Sequence, residues 1–302
     1  MPELPEVETI RVGLEPIVVG ATVEEVEVLN GRAVRRASAG LAPILGARFE
    51  AVARRGKYLW FDAGDVALVA HLGMSGQFRV GGSENPHRRA SLFFAGGPRL
   101  DFVDQRTFGH LLPDAFVPTS DGQLAGWGSL AARIPQSVAH IGRDPLDPAF
   151  DLETVIRRVR SKHTEIKRVL LDQSVASGIG NIYADEALFL AGVHPRRLTD
   201  RMSLAKIRAV YLAAIDVMTS AIEAGGTSFD SMYVNVNGTS GYFERSLNVY
   251  GRADLTCYVC GTPIKREPFM GRSSHFCPTC QKPRNIRQPT LRAAVKVRSV
   301  SG

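Results

Sequence analysis

No stretch of the 302 residues approaches the roughly eighteen consecutive apolar residues that a membrane span needs. The N-terminus is acidic and lacks an apolar core, so no signal peptide is read there and a cytoplasmic location is expected. No internal repeat is visible. Cysteine is absent before Cys257, and all four cysteines crowd between Cys257 and Cys280. In a reducing compartment that clustering argues against a disulfide framework and for a metal site. Acidic residues are outnumbered by basic ones, 30 to 37, giving a net charge of +7 and a sequence pI of about 9.4. That balance suits a polyanionic partner and equally serves plain solubility. The length accommodates one large or two ordinary domains.

What is present begins at once, with Pro2-Glu3-Leu4-Pro5-Glu6-Val7. A small second residue favours removal of the initiator methionine, which would leave a proline at the N-terminus. Its free nitrogen is a secondary amine, able to attack a sugar carbon and form an iminium as lysine does in Schiff-base chemistry. An α-amino group also titrates much nearer neutrality than a lysine side chain. Pro5 suits the first turn of a helix, where a missing N–H costs little. A helix starting near Glu3 sets Glu3 and Glu6 on one face, one to move protons and the other to hold a substrate group. Its free N–H groups offer a phosphate site. Taken alone, the segment equally describes an acidic, proline-started helix end.

After a helix to about Val18, the first half reads as strands. Segments around Val23–Val28, residues 48–52, 58–61, 66–70, 77–80, 92–94 and 100–103 are short, β-branched or aromatic, and punctuated by glycine. Many close strands without intervening helices indicate an antiparallel sandwich or barrel. Three places are candidates to touch a nucleic acid: the basic turn Arg54-Arg55-Gly56-Lys57-Tyr58, the His71-Leu72-Gly73-Met74-Ser75-Gly76 stretch, and Arg106-Thr107-Phe108-Gly109. Against them stand a solvated hairpin tip, a structural histidine and a core methionine.

Pro135, Pro145, Pro148 and Gly142 mark a linker over residues 135–150. Helical periodicity follows from Asp151: Leu152, Val155, Ile156 and Val159, then Ile166, Val169 and Leu170 with Thr164 as a cap. Gly178 and Gly180 give a tight turn into a helix beginning near Asn181, whose N–H groups and amide side chain suit a phosphate. Ser203 caps a long helix that Gly225-Gly226 end. Thr227 to Gly241 is a polar loop. Cys257-x-x-Cys260 and Cys277-x-x-Cys280 supply four thiolates, the set that closes a tetrahedral, structural zinc site with no open position for catalysis. Arg284, Arg287, Arg292, Lys296 and Arg298 follow without an acidic residue, which reads as a disordered basic tail.

Met-Pro-Glu-Leu-Pro-Glu-Val-Glu-Thr closely resembles the N-terminus of the formamidopyrimidine-DNA glycosylases, and the resemblance extends to about residue 282. It implies a fold of class α+β: an N-terminal antiparallel β-sandwich domain with an N-terminal helix (1–134), a linker (135–150), a helical domain with a helix–two-turns–helix (151–256), a zinc-finger β-hairpin (257–281) and the tail (282–302). It implies Pro2, Glu3, Glu6 and Lys57 as the catalytic group, with Lys57 the hairpin lysine at the lesion's phosphate. His71, Lys167, Asn181, Tyr242 and Arg272 match DNA contacts, and Met74, Arg106 and Phe108 match the trio that enters the duplex when the damaged base is turned out. Flipping costs stacking and pairing, so something must fill the vacated space. Gln105 and Thr107 depart from the family, with proline and a second basic residue usual there, and weaker backbone attraction is expected from them. Cys257, Cys260, Cys277 and Cys280 hold one Zn2+.

The activity so implied is a bifunctional DNA glycosylase and abasic-site lyase, acting as a monomer on duplex DNA with oxidised purines such as 8-oxoguanine and formamidopyrimidines. Two alternatives stand beside it. An endonuclease VIII-type enzyme prefers oxidised pyrimidines, but its N-terminus usually reads Pro-Glu-Gly. A non-enzymatic zinc-ribbon DNA-binding protein accounts for charge and cysteines, but not for an N-terminal proline.

Overall fold

The computed structural model describes residues 2–81, 84–226 and 246–286. Tyr242 and the tail residues Arg287, Arg292, Lys296 and Arg298 lie outside them.

The chain opens with helix α1 (Leu4–Val18). Two antiparallel sheets follow. One has the order β1-β6-β7-β5, from β1 (Val23–Val28), β5 (Gly76–Val80), β6 (Arg88–Phe94) and β7 (Arg99–Asp104). The other has the order β2-β3-β4-β8-β9, from β2 (Ala51–Arg55), β3 (Tyr58–Ala63), β4 (Val66–His71), β8 (His110–Pro118) and β9 (Arg133–Pro135). Alternation explains how they meet, because successive side chains in a strand point to opposite faces. Leu59, Phe61, Leu68 and Ala70 face Phe78, Leu92, Leu100 and Phe102 of the other sheet, forming the sandwich core. Trp60, Ala67 and Val69 turn the other way and pack under Ala125, Ile134, Val138 and Ile141. Both faces of the larger sheet are therefore covered, which is why β3 and β4 read as continuous apolar runs.

The second half is helical: α2 (Leu152–Arg160), α3 (Ile166–Leu170), α4 (Asn181–Leu190) and α5 (Leu204–Glu223), then the hairpin β10 (Lys265–Phe269) and β11 (Arg272–Phe276). Asp151 accepts from Thr154 N and Ser203 from Lys206 N, so both helices start on side-chain caps. Thr164 does not cap α3. The cap position belongs to Glu165, whose carboxylate binds Arg196 at 2.9 Å instead.

Helix α1 belongs to both halves. Val7, Ile10, Leu14 and Val18 enter the sandwich core, while Leu4 inserts into the helical core beside Ile179 and Tyr183. Among the described residues, no helix is long and apolar enough to cross a membrane.

Candidate active site

Glu3 occupies the N-cap position of α1, yet its carboxylate serves another helix. Its Oε2 accepts from Gly180 N at 2.8 Å and Tyr183 N at 3.3 Å, and its Oε1 from Ile182 N at 2.9 Å. These are the orphan donors at the start of α4, where an anion is favoured by hydrogen bonding and by the helix dipole. The approach requires Gly180: a Cβ there would lie 2.2 Å from the Glu3 carboxyl carbon. Phosphate binding by these N–H groups, expected from the sequence, is therefore not what the structure shows; a carboxylate of the same chain takes them. The same holds at α1, where Glu3 N donates to Glu6 Oε2 at 2.9 Å and Leu4 N to Gly178 O at 3.1 Å.

Glu6 is also buried, and the Tyr183 hydroxyl donates to its Oε1 at 2.7 Å. Pro2, next to Glu3 in the sequence, is buried as well. Lys57 donates from Nζ to Ile179 O at 3.1 Å, just before α4. Burial raises the pKa of Glu3, partly offset by the charge of Lys57. Burial lowers that of Lys57, and Glu3 opposes the shift. The buried Pro2, a carboxyl group biased towards its protonated form and an ammonium biased towards neutrality thus lie together.

The basic turn before β3 divides sharply. Arg54 is fully buried between Glu8 (2.7 Å) and Asp144 (2.9 Å), and Arg55, 6% exposed, donates to Ala125 O at 2.7 Å. Neither is a surface contact; only Lys57 turns to the site. Asp144 also accepts from Gly56 N at 3.0 Å, so the stretch read as a linker braces the turn that carries Lys57.

Lys167 needs a similar correction. It is 0% exposed, paired with Asp185 at 2.6 Å and donating to Ser273 O at 3.2 Å. A buried ammonium must be paired, and Asp185 fills that role. Rather than facing DNA, Lys167 supports the zinc-finger hairpin from below. Asn181 reaches the same carbonyl, Nδ2 to Ser273 O at 2.9 Å, and Asp185 further accepts from Ser274 Oγ (3.0 Å) and His275 N (2.8 Å). These bonds seat Arg272, exposed at the tip after Met270-Gly271, whose positive φ angles of 48° and 72° suit a two-residue hairpin turn.

A groove of about 580 Å³ is lined by Glu3, Met74, Asn181, Tyr250, Arg272 and His275. It brings together residues from the N-terminus, the sandwich and the hairpin. A hollow of about 590 Å³ beside Leu124, Trp127 and Pro148 shares no residue with it. Met74 and Phe108 are 38% and 46% exposed, a large apolar exposure on adjacent turns, and the Arg106 guanidinium stands 5.2 Å from the Phe108 ring centre. Thr107 is buried, so its side chain faces inward where Arg106 and Phe108 face outward. His71 lies between Tyr58 and His110, ring centres 4.8 and 5.7 Å away, and its Nδ1 accepts from Gly73 N at 3.1 Å. Its Nε2 is then the protonated nitrogen of the neutral ring.

The sulfur atoms of Cys257, Cys260, Cys277 and Cys280 lie within 4.8 Å of one another. The 3.4 Å between Cys260 and Cys277 is far too long for a disulfide and close to an edge of a tetrahedral four-thiolate zinc site. The residues fit one structural zinc.

Sequence reasoning missed Tyr183, Asp185 and Glu186. Glu186 is 1% exposed and accepts from the backbone of Asn248, Val249 and Tyr250 at 2.8 Å each. These three polar residues, buried after Asn181 on an α4 whose remaining residues are apolar, were the available signal.

Comparison with known proteins agrees with this geometry. Residues 1–111 match the formamidopyrimidine-DNA glycosylase N-terminal domain, 141–232 the H2TH domain of the same enzymes, and 254–283 the zinc finger found in FPG and IleRS. The chain is 54% identical over 290 residues to the formamidopyrimidine-DNA glycosylase of Rhodococcus jostii (strain RHA1), covering 93% of this chain and 96% of that one. It is 53% identical to the protein of that name from Mycobacterium avium (strain 104), covering 93% and 98%. Among solved structures, the MutM (Fpg) protein of Thermus thermophilus superimposes with a TM-score of 0.78 at 38% identity, covering 93% and 98%. The Lactococcus lactis Fpg in complex with abasic-site DNA does so with a TM-score of 0.78 at 30% identity, covering 93% and 100%.

Proposed function

Because the chain belongs to the formamidopyrimidine-DNA glycosylase family, a family of DNA glycosylases, we propose that it excises oxidised purines, 8-oxoguanine and formamidopyrimidines, from duplex DNA and then cleaves the strand. The observation that carries this reading is the burial of Glu3 beside Pro2, with both Glu3 oxygens fixed by α4. A related structure, a variant Lactococcus lactis Fpg, holds DNA containing Fapy-dG.

The chemistry follows from the groups. The Pro2 nitrogen, freed by removal of Met1, attacks C1′ of the damaged nucleotide. The C1′–base bond breaks and the base leaves with a proton. Glu3, held towards its protonated form by burial, supplies a proton to the sugar ring oxygen as the ring opens and the C1′ iminium forms. The iminium acidifies C2′–H. Loss of that proton expels the 3′ phosphate, and a second elimination expels the 5′ phosphate. Glu6, anchored by Tyr183, holds base or sugar. Lys57, Asn181, His71 and Arg272 bind the phosphates around the lesion. Tyr242 is assigned a further phosphate contact on the resemblance alone. Cys257, Cys260, Cys277 and Cys280 would hold one zinc with four thiolates, and its work would be to hold the hairpin carrying Arg272.

Borohydride trapping on an 8-oxoguanine duplex tests the reading. A covalent adduct is expected with a free N-terminal Pro2 and none when the N-terminus is blocked, although the blocked protein still binds DNA. Undiminished trapping with the N-terminus blocked overturns the nucleophile. Faster release of oxidised pyrimidines than of purines moves the protein to the endonuclease VIII-type reading.

A further inference from the structure

Two connections cross between the sheets at the same end of the sandwich. One runs from β4 to β5 and carries Met74; the other runs from β7 to β8 and carries Arg106 and Phe108. Their flanks are in register, with Gly76 opposite Asp104 and His71 opposite His110.

Asp104 sits where these turns meet, at 0% exposure. Its Oδ1 accepts from Ser75 Oγ at 2.5 Å and from Arg106 N at 3.1 Å, and its Oδ2 from Gly109 N at 2.7 Å. Ser75 Oγ also accepts from Arg106 N at 3.1 Å. One carboxylate thereby holds both ends of the Arg106–Gly109 loop and, through Ser75, the neighbouring Met74 turn. The fit between the turns is tight: a Cβ on Gly73 would lie 2.5 Å from Gly109 N. From outside, Arg35 donates to Phe108 O at 3.1 Å and Gly109 O at 3.0 Å. Thr107 is held at φ 53°, a region β-branched residues rarely adopt. Such a backbone persists only where surrounding bonds over-determine it, and such strain clusters at working sites.

We propose that Asp104 and Ser75 are positioning residues for base extrusion: they lock the Met74 turn and the Arg106–Phe108 loop into one rigid wedge. This rests on the function proposed above. Neither residue touches the reacting atoms. A wedge made of two independent turns would have to order each on entering the duplex, whereas a locked pair arrives already ordered.

The test uses Ser75→Ala in the full-length, zinc-loaded protein, because it cuts the bridge and leaves the Asp104 bonds to Arg106 N and Gly109 N in place. Base release is timed on 8-oxoguanine paired with cytosine, on the same lesion opposite an abasic gap, and as strand cleavage at a pre-formed abasic site. The paired lesion should slow about tenfold, the loss of one ordinary hydrogen bond expressed as a rate. The unpaired lesion and the abasic site should stay within about twofold of wild type, since little pairing is left to break. A 2-aminopurine beside the paired lesion should report equally delayed unstacking. Asp104→Asn, which sets an amide N–H against Arg106 N–H if its oxygen stays on Gly109 N, should show the same ranking of substrates with a larger effect. Equal losses on all three substrates, or no loss on any, overturn the proposal. A wild-type protein that releases no oxidised purine overturns the function itself, and so is told apart from failure of the wedge.

Discussion

The Arg54 guanidinium and the Asp144 carboxylate meet at 2.9 Å with side chains 1% and 0% exposed, although 90 residues separate them in sequence. Asp144 belongs to the proline-marked stretch before the helical half, and Arg54 to the end of β2. The pair is completed by Glu8 of α1, so three segments converge on one guanidinium. Breaking such a buried pair strands a charge. Asp144→Ala should therefore cost about 3–5 kcal/mol of stability, and Arg54→Met combined with Asp144→Ala should cost less than their sum. Urea midpoints of the three variants check this; strictly additive losses would deny that the charges depend on each other.

Acid should weaken the protein through its paired histidines. Burial, aided by Lys57, holds His71 down at about 4. Burial, aided by Arg36, holds His110 at about 3. In the unfolded chain both return to about 6.5. As the pH falls, the unfolded chain takes up protons first, so this stability is present above about 6.5 and is lost towards 4. His110→Gln cannot titrate, so its Tm should fall less between pH 7 and pH 4.5 than the wild-type Tm does. Parallel curves would refute the assignment.

Removal of the metal should act on DNA affinity before it acts on the sandwich. Cys277→Ser is expected to lose zinc and most binding of abasic-site DNA together, because the site's binding energy is the hairpin's folding energy. Metal analysis and a binding titration on the same sample decide it. Active protein free of zinc would contradict it.

Phe108→Ala and Arg106→Ala should slow base release from a paired lesion and spare cleavage at a pre-formed abasic site. Arg106→Ala should also relax any preference for cytosine opposite the lesion, by about 1–3 kcal/mol if the contact is bidentate. Both side chains are exposed, so Tm should barely move. A lowered Tm with equal loss of both activities would make them packing residues.

How much of this was legible beforehand depended on locality. Strands β1 to β7 announced themselves by short β-branched or aromatic runs and glycine punctuation. Strand β8 did not: it contains Pro113 and Pro118, and its register with Leu68 and Arg133 is set by partners distant in sequence. The four cysteines were readable because spacing alone carries their chemistry, and the N-terminal carboxylates because the run around them resembles a known family. The fate of each cation was not. Lys57 and Lys167 are both lysines in basic stretches, yet one turns to Ile179 O near Glu3 and the other is sealed against Asp185. Burial is decided by tertiary partners, so net charge overstates what this surface offers to DNA. Arg54 and Lys167 are fully buried in the interior.

Glu3 bonding to the first turn of α4 also sets an order of events in synthesis. A chain emerging from the ribosome exposes Pro2 early, but the donors that fix Glu3 are Gly180, Ile182 and Tyr183, and the hydroxyl that anchors Glu6 is on Tyr183. Until that helix has been made and docked, Glu3 and Glu6 are without the partners that fix them. On the proposed chemistry, the nascent polypeptide lacks the assembled site, and competence at a damaged nucleotide switches on only when the two halves of the molecule close on α1.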